Sequence, residues 1–216
     1  MVDKPNLWVF GDSFSAPFSH FKNRIWSHKY ISYLGYHPSC YGELLAKEMN
    51  LTLKNQSEPG IGNDSILDRI CINLHNIQKN DIIVIGWSSP TRWRIVKDED
   101  WLDITSSVSD DTNLSNTTIE EIGINRLEKL YESELFNRAE LVNKALGSPN
   151  TFTYHWTWYP IQPYNLIHRI RGERIKDATN GELIDNHFSA KSHKVLSKKI
   201  IKEYELWKTI HESNPL

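Results

Sequence analysis

The stretch Leu7-Trp8-Val9-Phe10-Gly11-Asp12-Ser13-Phe14-Ser15 decides how the rest of the chain is read. An apolar run stops abruptly at a glycine, an acid and a hydroxyl, the pattern of a strand running into a turn. Working outward, Leu51–Asn55 reads as a second strand. Ile82-Ile83-Val84-Ile85 reads as a third, a β-branched run of the kind buried on both faces of a parallel sheet. Helical spacing lies between them. Tyr41–Met49 repeats through Leu44, Leu45 and Met49, and Asn63-Asp64-Ser65 offers N-cap chemistry for a helix with Ile66, Ile70, Leu74 and Ile77 on one face. Downstream, Thr118 with Glu121 fits a capping box before Ile124, Leu127, Tyr131, Leu135 and Val142, and Gly147 and Pro149 end that helix. Thr151–Trp158 resembles a further strand stopped by Pro160, and Ser189 can cap a last helix carrying Leu196, Ile200, Tyr204 and Trp207. Alternating strands and helices predict an α/β fold, a mostly parallel sheet with helices on both sides.

Composition narrows the function. The chain has 216 residues, with 25 Lys and Arg against 27 Asp and Glu, for a formal charge of −2. That length fits one domain over residues 1–216, large enough to bury roughly 70% of its unfolded surface without disulfides or a structural metal. The charge balance argues against a protein that coats nucleic-acid phosphates. Cys40 and Cys71 are too few for a disulfide scaffold and show no metal-type spacing. The N-terminus lacks the apolar core of a secretory signal, and no stretch is long enough to span a membrane. The expected setting is therefore cytoplasmic, or release by lysis, with no membrane partner. Eight Trp, nine Tyr and seven Phe are unusual, and such rings either stack on sugars or fill cores.

In a parallel sheet, ligands bind beyond the carboxyl ends of the strands. The first strand delivers Gly11-Asp12-Ser13-Phe14-Ser15, which can present a hydroxyl beside free backbone N–H groups or can simply be a capped turn. After the second strand comes Pro59-Gly60-Ile61-Gly62-Asn63, without the spacing or lysine of a phosphate-binding loop. The third ends in Gly86-Trp87-Ser88-Ser89-Pro90, followed by Arg92 and Trp93. Far downstream, Asp185-Asn186-His187 precedes the last helix, where the carboxylate can fix the tautomer of a general base. A serine after strand one and an Asp-x-His near the C-terminus give the parts of a Ser-His-Asp hydrolase.

Gly11-Asp12-Ser13-Phe14-Ser15, Gly60 after Asn55, the turn at Gly86, and Asp185 with His187 together resemble the successive blocks of the SGNH (GDSL-like) hydrolases. The resemblance spans about residues 6–93 and 182–205. It implies a flavodoxin-like three-layer α/β/α sandwich and ester hydrolysis through an acyl-enzyme, with no cofactor and no metal. It further implies Ser13 as nucleophile, His187 as general base, Asp185 as its orienting partner, and the backbone N–H groups of Ser13 and Gly60 in the oxyanion hole. Two departures stand out. Where the family supplies an oxyanion-hole asparagine after the third strand, this chain has Ser88, so either Ser88 or the neighbouring Asn63 would replace it. The family separates Asp and His by two residues, whereas here only Asn186 intervenes. His193 is a competing imidazole, but its place within the last helix suits a structural role.

An aromatic and basic segment, about residues 14–39, follows the candidate nucleophile. It has Phe18, Phe21, Trp26, Tyr30 and Tyr33 beside Lys22, Arg24 and Lys29, and no acid from Ser13 to Gly42. It reads either as a lid suited to a carbohydrate or an anionic acyl ester, or as a surface loop pinned by its own rings. A polar excursion, about residues 94–116, follows Trp93. The expected substrate-binding residues are Asp12, Phe14, Trp26, Trp87 and Arg92. His155, Trp156, Trp158 and Tyr159 read as strand and core. The expected function is a serine esterase acting on a small-molecule or glycan ester, with removal of O-acetyl groups from a carbohydrate as the specific form. The alternatives are a lipid or thioester hydrolase and a catalytically weak glycan-binding module on the same fold.

Overall fold

A computed structural model describes residues 4–90, 92–97, 100–105, 124–147, 151–161, 164–177 and 180–213. Strands β1 (Asn6–Gly11), β2 (Thr52–Asn55), β3 (Ile82–Trp87), β6 (Thr153–Thr157) and β7 (Ile167–Arg169) form one sheet in the order β2-β1-β3-β6-β7. Every neighbouring pair in it is parallel. By position along the sheet this is the 2-1-3-4-5 order of flavodoxin-like folds. The parallel α/β sandwich expected from the sequence is thus present, with β7 an added strand.

Strand periodicity builds the two flanking layers. On one face, Leu7, Val9, Ile82, Val84, Tyr154 and Trp156 pack against α2 (Tyr41–Glu48) through Tyr41 and Leu45, and against α5 (Ala190–Ser213) through Leu196 and Ile200. On the other, Trp8, Phe10, Ile83, Ile85 and Trp87 pack against α3 (Asn63–Asn73) through Ile66 and Ile70. The same face packs against α4 (Ile124–Ala145) through Leu135, Ala139 and Val142. Consecutive residues of β1 and β3 serve opposite layers, which is why those strands are apolar throughout and not alternating.

Several boundaries differ from the sequence reading. Helix α3 is preceded by Gly62 as its N-cap, and Asn63, inside the first turn, turns its side chain to the end of β3 instead of capping. The proposed capping residues Thr118 and Glu121 lie outside the described residues. Gly147 does end α4, in the left-handed conformation at φ +74°. Ser189 caps α5 by accepting the Ser192 N–H at 3.3 Å.

The aromatic and basic segment is not a plain loop. A 3-10 turn at Phe18–Phe21 leads into helix α1 (Ile25–Leu34), stopped by Gly35 at φ +71°. Phe18 and Tyr30 form a small core with Ile175 of the antiparallel pair β8 (Arg174–Lys176) and β9 (Leu183–Phe188). The segment therefore clasps this hairpin, which the sequence reading had missed. The polar excursion also begins as regular structure. β4 (Arg92–Lys97) and β5 (Asp100–Thr105) pair antiparallel, with Trp93 opposite Ile104 and Ile95 opposite Leu102. Its remainder, 106–116, lies outside the described residues.

Gly11 and Gly86 are paired across β1 and β3, and both make room for one buried hydroxyl. A Cβ at either position would sit well inside contact distance of Ser15 Oγ, and one at Gly86 would also lie 2.9 Å from the Trp156 ring. The hydroxyl is held in turn by Tyr41, which donates to Ser15 Oγ at 3.0 Å and accepts from Trp156 Nε1 at 3.3 Å. We expect Gly86→Ala to lower stability by about 2 kcal/mol, because the surrounding rings are fully packed. Urea denaturation of the variant against wild type measures it.

Candidate active site

All five strands of the sheet run the same way, so the segments leaving β1, β2, β3 and β6 gather along one edge. At its centre the chain leaves β1 and turns immediately. The Asp12 carbonyl accepts the N–H groups of Ser15 at 3.0 Å and Ala16 at 3.1 Å, and Asp12 Oδ1 accepts the Phe14 N–H at 3.0 Å. This Asx-type turn sets out Ser13, whose residual exposure is 8%. Neither the hydroxyl nor the N–H of Ser13 has a hydrogen-bond partner among the described residues.

Asp12 is an organiser, not a substrate contact. It is 1% exposed, and its Oδ2 accepts from Ser88 Oγ at 2.8 Å, Trp158 Nε1 at 2.9 Å and Arg92 Nη1 at 3.4 Å. One buried carboxylate thereby ties together the ends of β1, β3 and β6 and the start of β4. Charge-assisted bonds of this sort are costly to break because each donor would be left unpaired. Arg92 also donates to the Ile61 carbonyl at 3.0 Å, so it braces the β2–α3 turn instead of reaching for a ligand. Trp158, read from sequence as a core residue, belongs to this network.

The two candidate replacements for the oxyanion-hole asparagine have different commitments. Ser88 gives its hydroxyl proton to Asp12 and so does not present it to a substrate. Asn63 pairs reciprocally with the Ser88 backbone, accepting its N–H at 2.8 Å and donating to its carbonyl at 3.3 Å. One Nδ2 proton of Asn63 remains beyond that pair. Gly60 is exposed at φ +92° with open space where a Cβ would stand. The left-handed turn is what calls for a glycine there.

Asp185 and His187 lie within β9 at an irregular point of its pairing with β8: Ile175 is opposite Asp185 and Arg174 opposite Phe188, so Asn186 and His187 bulge out of the ladder. The bulge turns the His187 N–H and ring back onto the carboxylate two residues earlier, which places carboxylate and imidazole side by side. Asp185 Oδ1 accepts the His187 backbone N–H at 2.9 Å and is hydrogen-bonded to His187 Nδ1. Burial opposes ionisation of Asp185. The hydrogen bonds from the His187 ring and backbone, with the Arg24 charge, outweigh it and hold the carboxyl below the usual carboxylate range.

His187 Nε2 is buried and has no hydrogen-bond partner among the described residues. Its ring is boxed by Phe14 at 5.1 Å, Phe21 at 5.0 Å and Trp26 at 5.2 Å between centroids, with Trp26 stacked at 16°. The Asp185–His187 pair thus lies against the residue next to Ser13. No hydrogen bond joins Ser13 to His187 in this arrangement. Arg174, which no sequence signal marked, stands 5.0 Å from the centroids of both Phe14 and Phe188 and donates to the Asn186 carbonyl at 2.9 Å.

Other expectations fall away from the site. Trp87 is fully buried and donates to His155 Nδ1 at 3.1 Å on the α3–α4 face, so it cannot line a substrate pocket. The side chain of Trp93 lies outside what is described. His193 is buried, with its Nδ1 accepting the Tyr41 N–H at 3.3 Å, which is the structural role expected of it. Among the described residues, no group of three His, Cys, Asp or Glu side chains could hold a metal ion, and no helix is long and apolar enough to cross a membrane.

No family model matches the chain, and no curated protein matches it. Solved structures do resemble it. One is a carbohydrate esterase whose active site displays divergent catalytic and non-catalytic binding functions. It is 12% identical at a TM-score of 0.44, over 95% of this chain and 69% of that one. Another is the lipase/acylhydrolase from Enterococcus faecalis, 16% identical at a TM-score of 0.39, over 92% of this chain and 94% of that one.

Proposed function

We propose that this chain is a serine esterase, with Ser13 as nucleophile, His187 as general base and Asp185 as the group that orients it. The observation that carries the reading is the Asp185–His187 pair. The carboxylate engages Nδ1, which leaves Nε2 as the basic nitrogen, and the ring rests on Phe14, the neighbour of Ser13, whose hydroxyl has no partner among the described residues. In the reaction His187 takes the Ser13 proton as the hydroxyl attacks the ester carbonyl, then protonates the leaving alcohol. Water, activated by the same imidazole, releases the acid. The Ser13 N–H, the Gly60 N–H and the remaining amide proton of Asn63 are the donors proposed for the oxyanion. For Nε2 to reach Ser13 Oγ, the ring box around His187 has to loosen, and Phe21 and Trp26, on the segment that clasps the hairpin, are the rings to move.

The proposed substrate is an O-acetylated carbohydrate, on the strength of the aromatic wall that Phe14, Phe21 and Trp26 place around the imidazole. A fluorophosphonate probe tests the reading before any substrate is known. Labelling of wild type at Ser13, absent in Ser13→Ala, supports it. Absence of labelling together with no acetate release from acetylated sugars refutes it. The closed ring box and the commitment of Ser88 to Asp12 favour a second reading, a glycan-binding module without efficient catalysis. Unlabelled Ser13 with glycan affinity unchanged in Ser13→Ala distinguishes it. A preference for longer acyl chains would instead mark a lipid or thioester hydrolase.

A further inference from the structure

A concavity opens two residues beyond His187, at Ser189 and Ala190. It is a groove of about 500 Å³ between α1, the β8–β9 hairpin and the start of α5. Tyr30, Tyr33 and Tyr36 form one wall. Tyr30 is buried and anchors that wall by accepting the Ala190 N–H at 2.7 Å, while Tyr33 and Tyr36 stand 59% and 57% exposed. Two neighbouring tyrosines left this open to water offer flat apolar faces with a hydroxyl at each rim, the surface on which a sugar ring stacks.

The facing wall is cationic, with Arg174 and Lys176 from β8 and Lys191 and Lys194 from α5, against the carboxylates of Glu173 and Asp177. Not all four charges are available. Lys191 is paired with Glu173 at 3.2 Å, and Arg174 is held over the touching Phe14 and Phe188 rings and by the Asn186 carbonyl. Lys176 and Lys194 are exposed and carry no ion pair among the described residues. The wall that supports them is fixed, since Ser192 Oγ donates to the Glu173 carbonyl at 2.9 Å and Ser189 N–H to the same carbonyl at 2.9 Å.

We infer that this groove binds an acidic saccharide chain, its sugar faces resting on Tyr33 and Tyr36 and its carboxylates meeting Lys176 and Lys194. A neutral glycan would leave both ammonium groups unused. The tyrosines give a simple anion no more than their hydroxyls, so the two walls together specify a ligand with both features. The inference goes beyond the esterase reading and stands without it, because no residue of the groove takes part in the proposed hydrolysis.

Calorimetric titration of the intact chain with hexagalacturonate, and with its fully methyl-esterified form, tests it at low salt. We expect the acidic form to bind and the ester to bind about tenfold more weakly or worse, with Lys176→Ala/Lys194→Ala and Tyr33→Ala each weakening the acidic form by roughly tenfold. All four positions of the platform are surface side chains, so circular dichroism of each variant should match wild type. Ser13→Ala should bind like wild type, which separates this outcome from the fate of the esterase reading. Equal affinity for the two forms, no binding at millimolar ligand, or full affinity in the lysine variant overturns the proposal. A tighter complex with oligouridylate of equal charge would reassign the groove to nucleic acid and overturn it as well.

Discussion

Ser13→Ala should abolish hydrolysis of p-nitrophenyl acetate, a loss of roughly 10⁴–10⁶ in kcat, and His187→Ala should cost about as much. The two groups act as a unit. Without the hydroxyl there is nothing to deprotonate, and without the imidazole the hydroxyl is not activated, so the double variant should be no worse than either single one. Asp185→Asn tests the third member differently. It keeps the shape of the side chain but removes the charge whose hydrogen bonds to the His187 ring and backbone hold Asp185 ionised. The amide can donate to Nδ1 and favour the opposite tautomer, with a proton on Nε2. A fall of about 10²–10⁴ with KM little changed is the expected signature. Additive losses in the double variant, or a Ser13→Ala protein that retains its rate, would sink the assignment. Trp26→Ala provides an internal check, since it removes the ring stacked on His187 while leaving the Asp185 contact intact.

The second large effect is on stability in acid. His155 and His193 are buried, and burial pushes both down to about 3, helped by the nearby His168 and His187 respectively. In the unfolded chain a histidine titrates near 6.5. Both residues are therefore neutral in the fold and protonated on unfolding once the pH drops below about 6.5. The unfolded state binds more protons throughout that window, so stability falls steadily as pH is lowered from 6.5 towards 3. Each histidine contributes on the order of a few kcal/mol by the acid end, comparable with the whole stability of a domain. Neither can take a proton without losing a bond that needs its lone pair. His155 Nδ1 accepts from Trp87 while its Nε2 faces Asn143, and His193 Nδ1 accepts from Tyr41. Urea denaturation between pH 7 and 4.5 should show the decline before most carboxylates titrate, with about two protons taken up per molecule unfolded from these two residues and a further contribution from His168, which burial also lowers. His193→Asn keeps an acceptor for Tyr41 and should remove close to one proton from that slope. A stability that is flat over this range would show that the two imidazoles are not held neutral.

The parallel core was legible because its signals are local. Val9, Val84 and their neighbours are apolar on both sides of the strand, and only a central strand covered by two helical layers requires that. The Gly11-Asp12-Ser13 turn was legible for a similar reason, since those residues favour a turn at the end of an apolar run wherever the run sits. What the sequence left open depends on partners far away along the chain. Asp12 and Arg92 read as substrate contacts until Ser88 and Trp158 arrive to use the same carboxylate. Trp87 read as a wall of the site until the alternation of β3 turned it to the α3–α4 face. Arg174 carried no signal at all, because its place over Phe14 and Phe188 exists only once the hairpin folds back.

The Asp185–His187 pair shows the division most clearly. By itself the sequence determined that a carboxylate and an imidazole lie near the start of the last helix, separated by one residue. Whether that spacing joined them was a question of backbone conformation, because neighbours two apart diverge on a helix and meet only where an extended chain turns one back onto the other. The bulge in the pairing of β9 with β8, under the clasp of α1, decided it by turning His187 back onto Asp185. The same clasp set Trp26 and Phe21 over the imidazole. The sequence thus named the chemical groups, and only the tertiary structure decided which of them meet and what covers them, since contact is a property of distance and not of order along the chain.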